Sequence, residues 1–211
     1  MLAVGSGQAL EIGRRGDADA LLVHDRQAEE ALVDASYAEE RRDVMDNHFV
    51  VIGPAADPAD VRGAESVIDA LRRIAEQQAV FVSRGDDSGT HRAERRFWGD
   101  TEVTPGGPWY RELGSGMGQT LNTAAAMDAY VLSDRATWAT FENRQRLQVL
   151  YEGDDELVNQ YGSILLSKAQ HPHLRHDKAR QWHAWLTSED GQRAIAQYTV
   201  GGEQLFVPNA R

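Results

Sequence analysis

Within "SRGDDSGTH", Ser83 to His91, an arginine, two aspartates, two glycines, two serines, a threonine and a histidine crowd into nine positions, and helical periodicity follows. Arg84 offers a planar guanidinium fork that is always charged and suited to oxyanions. Ser88 and Thr90 offer hydroxyl donors. The main-chain N–H groups of Gly89 and Thr90 fall where a helix begins, with no intrahelical acceptor and at the positive end of the helix dipole. Asp86 and Asp87 fit this set differently. A carboxylate aimed at an anion repels it, so the donor reading expects one aspartate to cap the helix and the other to orient Arg84. An aspartate that did face the ligand would accept a hydrogen bond from a protonated oxyanion such as hydrogen phosphate.

The same residues admit other chemistry. Arg84–Asp86 spells the adhesion tripeptide RGD. Asp86 and Asp87 with Asp154 and Asp155 suggest a metal or carboxylate-pair enzyme, and Ser88, His91 and Asp86 suggest a hydrolytic triad, although the serine lacks a G-x-S-x-G elbow. "HPHLRH" reads as a solvated loop before a helix rather than a metal site, because Pro172 breaks its spacing. Trp182 and Trp185 read as the packing face of that helix, and "ERRD" and "ERRFW" as solvated, ion-paired faces.

The elements that must position these groups alternate. Short apolar runs at Ala20–His24, His48–Gly53, Ala79–Ser83, Ala129–Ser133, Leu147–Tyr151 and Ser163–Ser167 read as buried strands. Between them lie helix patterns: "AESVIDALRRIAEQ" repeats Val67, Ile68, Leu71 and Ile74 at helical spacing, "HDKARQWHAWLTS" repeats Ala179, Trp182 and Leu186, and Ser188 caps a last helix over Glu189–Tyr198. Such alternation predicts an α/β protein with mainly parallel sheets. Three stretches, "VGSGQALEI", "SRGDDSGTHRAE" and "GSGMGQTLN", set serine and glycine just before a helix. Three helix starts of this kind can converge beyond the carboxyl ends of parallel strands, where open sheets bind ligands. Leu205–Phe206 in "GGEQLF" are expected to fold back onto the core.

Composition limits the partners. The chain has 211 residues, net charge −11 and no cysteine, which excludes a basic nucleic-acid surface, a disulfide frame and thiol chemistry. No apolar run approaches the length of a spanning helix.

Taken in order, "GDADALLVHD", "VMDNHFVVIGPAADPADVRG", "FVSRGDDSGTH", "GSGMGQTL", "AYVLSDRATW", "YEGDDELVNQYGSILLS", "WLTSEDGQRAI" and "GGEQLFVPNA" resemble the tungstate-binding proteins of bacterial ABC importers, from Ala3 almost to the end. The resemblance implies a two-lobed periplasmic-binding type II fold, with residues 1–52 and 161–211 in one lobe and 53–160 in the other. It implies a non-enzymatic, monomeric, periplasmic receptor that takes tungstate or molybdate, with phosphate or sulfate as the alternative, and hands it to an ABC permease. No cofactor or metal is implied. A tetrahedral dianion presents acceptors only, so its cage must present donors. The resemblance carries that role onto Arg84 and Thr90, supported by Ser88 and Gly89, with Ser6 and Gly7 from the other lobe and the Met117–Gly118 amides closing the cage. Ser6 stands where the family more often has threonine. The family also has a further strand, a Thr/Ser-rich turn, a helix and an export signal ahead of Ala3, so this sequence is expected to hold part of the site and to expose an apolar sheet edge.

Overall fold

In the computed structural model, which describes residues 1–210, the chain separates into two compact units. Unit 1 is Met1–Asn47 with Asn159–Arg211, and unit 2 is His48–Val158.

Unit 1 opens with α1 (Ser6–Arg15), β1 (Ala20–Val23) and α2 (Arg26–Asp34) and then enters the long strand β2 (Ala38–Pro54). Gly16, at φ +74°, ends α1 in the left-handed conformation that glycine adopts at least cost. Unit 2 continues through α3 (Val67–Glu76), β3 (Phe81–Ser83), α4 (Gly89–Asp100), β4 (Tyr110–Glu112), α5 (Met117–Met127), β5 (Val131–Asp134), α6 (Arg135–Thr140) and β6 (Leu147–Tyr151). The chain returns along β7 (Val158–Leu166) and finishes unit 1 with α7 (His176–Leu186), α8 (Glu189–Gln197) and the short strands β8 (Thr199–Val200), β9 (Glu203–Gln204) and β10 (Val207–Pro208). The Ser188 hydroxyl accepts from the Gly191 N–H and caps α8 as its sequence position predicts.

In unit 1 the strand order is β1-β7-β2-β10, with β1 antiparallel to β7 and β10 antiparallel to β2. In unit 2 the later half of β2 pairs antiparallel with β5 and β6. Parallel pairing occurs between β3 and β4 and at the single bridge from Phe81 to Tyr130. The expected parallel geometry therefore describes β3 and β4 but not the strands around β2, because β2 and β7 are the segments that carry the chain from one unit to the other. Unit 1 buries Leu10, Leu21, Val23, Leu32, Ile164 and Leu166 together. Unit 2 has an aromatic centre in which Phe81 meets Trp98 edge to face at 5.3 Å and stacks on Tyr110.

Three local expectations are corrected. "ERRD" is ion-paired as expected but not fully solvated: it lies within β2, where the Arg41 Nε–H donates to buried Glu29 at 2.8 Å. Trp182 and Trp185 are both 44% exposed and stack on each other, while α7 buries His176, Ala179, His183 and Leu186. The histidines of "HPHLRH" are not all solvated: His171 and His176 are buried, and the His176 ring lies 2.7 Å from the His171 carbonyl. Leu205 does fold inward, at 4% exposed.

Candidate functional site

In unit 2 the site grows from the parallel pair. β3 and β4 run in register, Phe81 beside Tyr110 and Ser83 beside Glu112, so both strands end at the same level. Each exit leads into a helix start, β3 through Arg84–Ser88 into α4 and β4 through Leu113–Gly116 into α5. The two loops stay in contact: the Leu113 N–H donates to the Ser83 carbonyl at 3.1 Å and the Ser115 N–H to the Arg84 carbonyl at 3.0 Å. Gly85 makes this approach feasible. Its φ is +61°, and a Cβ there would lie 2.9 Å from Glu112 Cβ and 3.2 Å from the Gly114 nitrogen.

Arg84 is set by its neighbour. Its Nη2–H and Nε–H donate to Asp86 Oδ2 at 2.6 and 3.2 Å, and its side chain is 15% exposed. The other Asp86 oxygen accepts from the Ser88 N–H at 3.2 Å. Burial opposes ionisation of Asp86, but the hydrogen bonds from Arg84 and Ser88 outweigh it and hold the carboxyl below its ordinary range. The two aspartates thus divide their work otherwise than expected. Asp86 orients Arg84 and also braces the loop, whereas Asp87, at φ +56°, turns outward to Arg92 at 2.7 Å. The cap is Ser88, whose hydroxyl accepts from the His91 N–H at 3.3 Å.

This geometry is unsuited to a hydrolytic triad. Ser88 meets the main chain of His91, not its ring, and the ring Nδ1 accepts from the Asp87 N–H at 3.0 Å. An imidazole whose acceptor nitrogen is already occupied cannot take the serine proton. Asp154 bonds to the N–H groups of Val67 and Glu156, and no group of metal-ligating side chains assembles among the described residues.

The helix starts in this part of unit 2 offer donors. Gly89 and Thr90 are buried in the first turn of α4, and no partner holds the Thr90 hydroxyl among the described residues. At the start of α5 the N-cap is Gly116, which supplies no side chain to the first N–H groups of Met117 and Gly118. The Met117 side chain packs inward with Val82 and Leu121, so its amide is the part available to a ligand. The loop that carries Arg84 and Ser88 into Gly89 and Thr90 is therefore joined, within unit 2, to the loop that leads to Met117 and Gly118. Ser6 and Gly7 open α1 in unit 1, where the Ser6 Oγ accepts from the His24 N–H at 3.3 Å and the N-cap, Gly5, gives no side-chain bond.

Sequence reasoning missed Gly85 and Ser115, which join the two loops, and the buried polar group around Asn47 in unit 1. Glu94, on α4, was misread within "ERRFW" as part of a solvated, ion-paired face. It is 1% exposed and accepts from the Tyr110 hydroxyl at 2.7 Å. Burial pushes its carboxyl up to about 7. The signal for it was a glutamate one and a half turns into a helix whose other face is apolar, which charge patterning alone assigns to solvent.

The chain matches the PBP superfamily domain over residues 1–190. A Haloferax volcanii relative, provisionally named an ABC transporter anion-binding protein, is 45% identical over 99% of this chain, and the chain spans 63% of that relative's length. The tungstate-binding protein TupA of Peptoclostridium acidaminophilum is 41% identical over 100% of this chain and 75% of its own length. The solved structure of TupA from Desulfovibrio alaskensis G20 aligns with a TM-score of 0.84 at 42% identity, covering 100% of this chain and 86% of that one. The chain belongs to the PBP superfamily and, within it, to the family of the TupA tungstate-binding proteins.

Proposed function

We propose that this chain is the receptor of an ABC importer and captures tungstate, or molybdate, as a fully deprotonated dianion. The observation that carries the reading is the Arg84 guanidinium, fixed by Asp86 beside two helix starts in a part of unit 2 that offers donors. A tetrahedral dianion suits it because every group assigned to the ligand gives a hydrogen bond and none takes one. Both Asp86 oxygens are already engaged, one by Arg84 and one by Ser88, so no carboxylate oxygen is reserved for a protonated anion. This favours tungstate over hydrogen phosphate. The names of the TupA relatives support the same choice.

On this reading unit 2 supplies Arg84, Ser88, Gly89, Thr90 and the Met117 and Gly118 amides, and unit 1 supplies Ser6 and Gly7. The units correspond to the two lobes of the fold. The chain works as a monomer outside the cytoplasm, delivers the anion to a permease and catalyses no reaction. No helix among the described residues is long and apolar enough to cross a membrane.

Calorimetric titration with tungstate, molybdate, sulfate and phosphate tests the proposal. Saturable one-to-one binding of tungstate, with phosphate weaker by about 100-fold or more, is the expected result. A preference for phosphate, retained when Arg84 is replaced, overturns it.

A further inference from the structure

The start of α1 is bare where that of α4 is capped, yet a line of hydrogen bonds leads away from it into the interior. The Ser6 Oγ accepts from the His24 N–H at 3.3 Å. The His24 ring Nδ1 lies 3.0 Å from Asn159 Oδ1, and Asn159 Nδ2–H donates to Asn47 Oδ1 at 2.7 Å. The amide hydrogen of this line runs from Asn159 toward Asn47. Asn159 gives its amide hydrogen to Asn47 and so presents oxygen to His24, which makes Nδ1 the protonated ring nitrogen. Exchanging the oxygen and nitrogen of Asn47 alone would set donor against donor.

The line ends without an acceptor. Asn47 is 1% exposed, its oxygen is taken by Asn159, and its Nδ2 is buried with no hydrogen-bond partner. Asn47 is the last residue of unit 1 on β2, and Asn159 is the first after the chain returns. A native fold rarely leaves an amide N–H2 buried and unmatched, and where it does the group calls for an explanation. An amide held by its oxygen alone presents two hydrogens to whatever lies beyond it. The ligand chemistry that satisfies them is an acceptor with no proton of its own.

We propose that Asn47 is a further oxyanion-binding residue of unit 1, donating through Nδ2–H to the same anion that the α1 start receives. The assignment rests on the oxyanion reading above and deepens it: it gives unit 1 a side-chain donor that is neutral and pre-oriented, in contrast to the charged fork of unit 2. Asn159 holds the Asn47 oxygen, and His24 ties that pair to Ser6.

The test is calorimetric titration of tungstate into wild type, Asn47→Asp and Asn47→Ser, with thermal unfolding of each ligand-free protein. Asn47→Asp has the same shape and keeps an oxygen for Asn159, but it turns the donor into a second acceptor facing a dianion. Its tungstate affinity is expected to fall by about 100-fold or more. Asn47→Ser keeps a small polar group without the reach of the amide, and a loss of about tenfold is expected. Should Asn47→Asp fail to fold, the serine variant decides. If folded variants bind tungstate within twofold of a wild type that itself binds, the Asn47 assignment is overturned and the receptor reading stands. If wild type takes up no oxyanion, both fall together.

Discussion

At the start of α4 in unit 2, nearly every side chain of the loop is engaged before any ligand is considered. Arg84 pairs with Asp86, Asp86 with the Ser88 N–H, Ser88 with the His91 N–H, His91 with the Asp87 N–H and Asp87 with Arg92. At the start of α1 in unit 1 there is no cap and no ionised side chain in the first turn, only Ser6 on the His24 main chain. The contrast shows two ways to make an oxyanion donor set. One fixes a full charge by surrounding it with a counter-charge that the helix start then braces. The other leaves helix amides and neutral groups in place, which costs little reorganisation but supplies less energy per contact.

Replacing Arg84 breaks the first device most severely. Arg84→Ala removes the charged donor and also strands Asp86, ionised and four-fifths buried, beside the dianion. Tungstate affinity is expected to fall by about 3 kcal/mol, more than 100-fold. The double variant Arg84→Ala with Asp86→Ala recovers part of that loss in calorimetry, because the stranded carboxylate has gone too. If the double variant binds no better than the single one, Asp86 is not held against the ligand by Arg84, and the contrast between the two helix starts loses its electrostatic half.

The two units also bury a glutamate each, with different partners. Glu29 in unit 1 is fully buried, accepts from Arg41 at 2.8 Å and from the Asp25 N–H at 2.8 Å, and burial still raises its carboxyl above the ordinary value. Glu94 in unit 2 has no cation: Tyr110 donates to it, while the buried Ser83 Oγ and Trp98 Nε1 approach without closing a hydrogen bond. Burial pushes it up to about 7, from 4.5 for an open glutamate. Between those values the folded protein holds a proton that the unfolded chain has released, so stability falls as pH rises from about 4.5 to about 7 and then levels. The Glu94 share of that fall is on the order of 3 kcal/mol. Glu94→Gln, followed by chemical denaturation at pH 5 and pH 8, is expected to flatten the dependence. An unchanged slope means Glu94 is ionised in the fold.

Gly85 carries the contact between the two loops of unit 2 and has no counterpart in unit 1. Gly85→Ala forces a side chain into φ +61° and against Glu112 Cβ, which costs about 1–2 kcal/mol of stability. Because that contact joins the loops that lead into α4 and α5, tungstate affinity drops with it. A variant that loses stability while keeping full affinity shows that the Met117 and Gly118 amides are not needed for binding.

Much of this was legible in the residues and some was not. Ser88 was readable as a helix start because serine before glycine and threonine ahead of an amphipathic stretch has few other uses. The convergence of the helix starts of α4 and α5 was expected from their shared serine and glycine, but the means was not legible, since it depends on β3 and β4 being parallel and in register, and three-residue strands carry almost no periodicity. Trp182 misled by hydrophobicity. It sits at helical spacing between Ala179 and Leu186, but the inward position on that turn belongs to His183, whose ring Nδ1 lies 2.8 Å from the Ser163 Oγ. A pattern of apolar residues cannot register a buried polar side chain that is satisfied from another element. Asn47 escaped for the same reason: "MDNHFV" reads as the lead into a strand, and only the fold brings Asn159 to its oxygen.

The smallest expected effect separates the two serines. Ser88→Ala removes the acceptor that caps α4, so stability is expected to fall by about 1 kcal/mol, with affinity following only as far as the loop loosens. Ser6 is different in kind. Its oxygen accepts one weak bond from His24, no side chain caps its helix, and its hydroxyl hydrogen is the part a dianion can use. Ser6→Ala is therefore expected to change ligand-free stability by less than about 0.5 kcal/mol and to weaken tungstate by about 1 kcal/mol, roughly fivefold. The opposite pattern, with Ser6→Ala costing stability and Ser88→Ala costing affinity alone, means that the bare helix start is the structural one and the capped start the binding one. Thermal unfolding of both variants with and without tungstate reads all four numbers in one series.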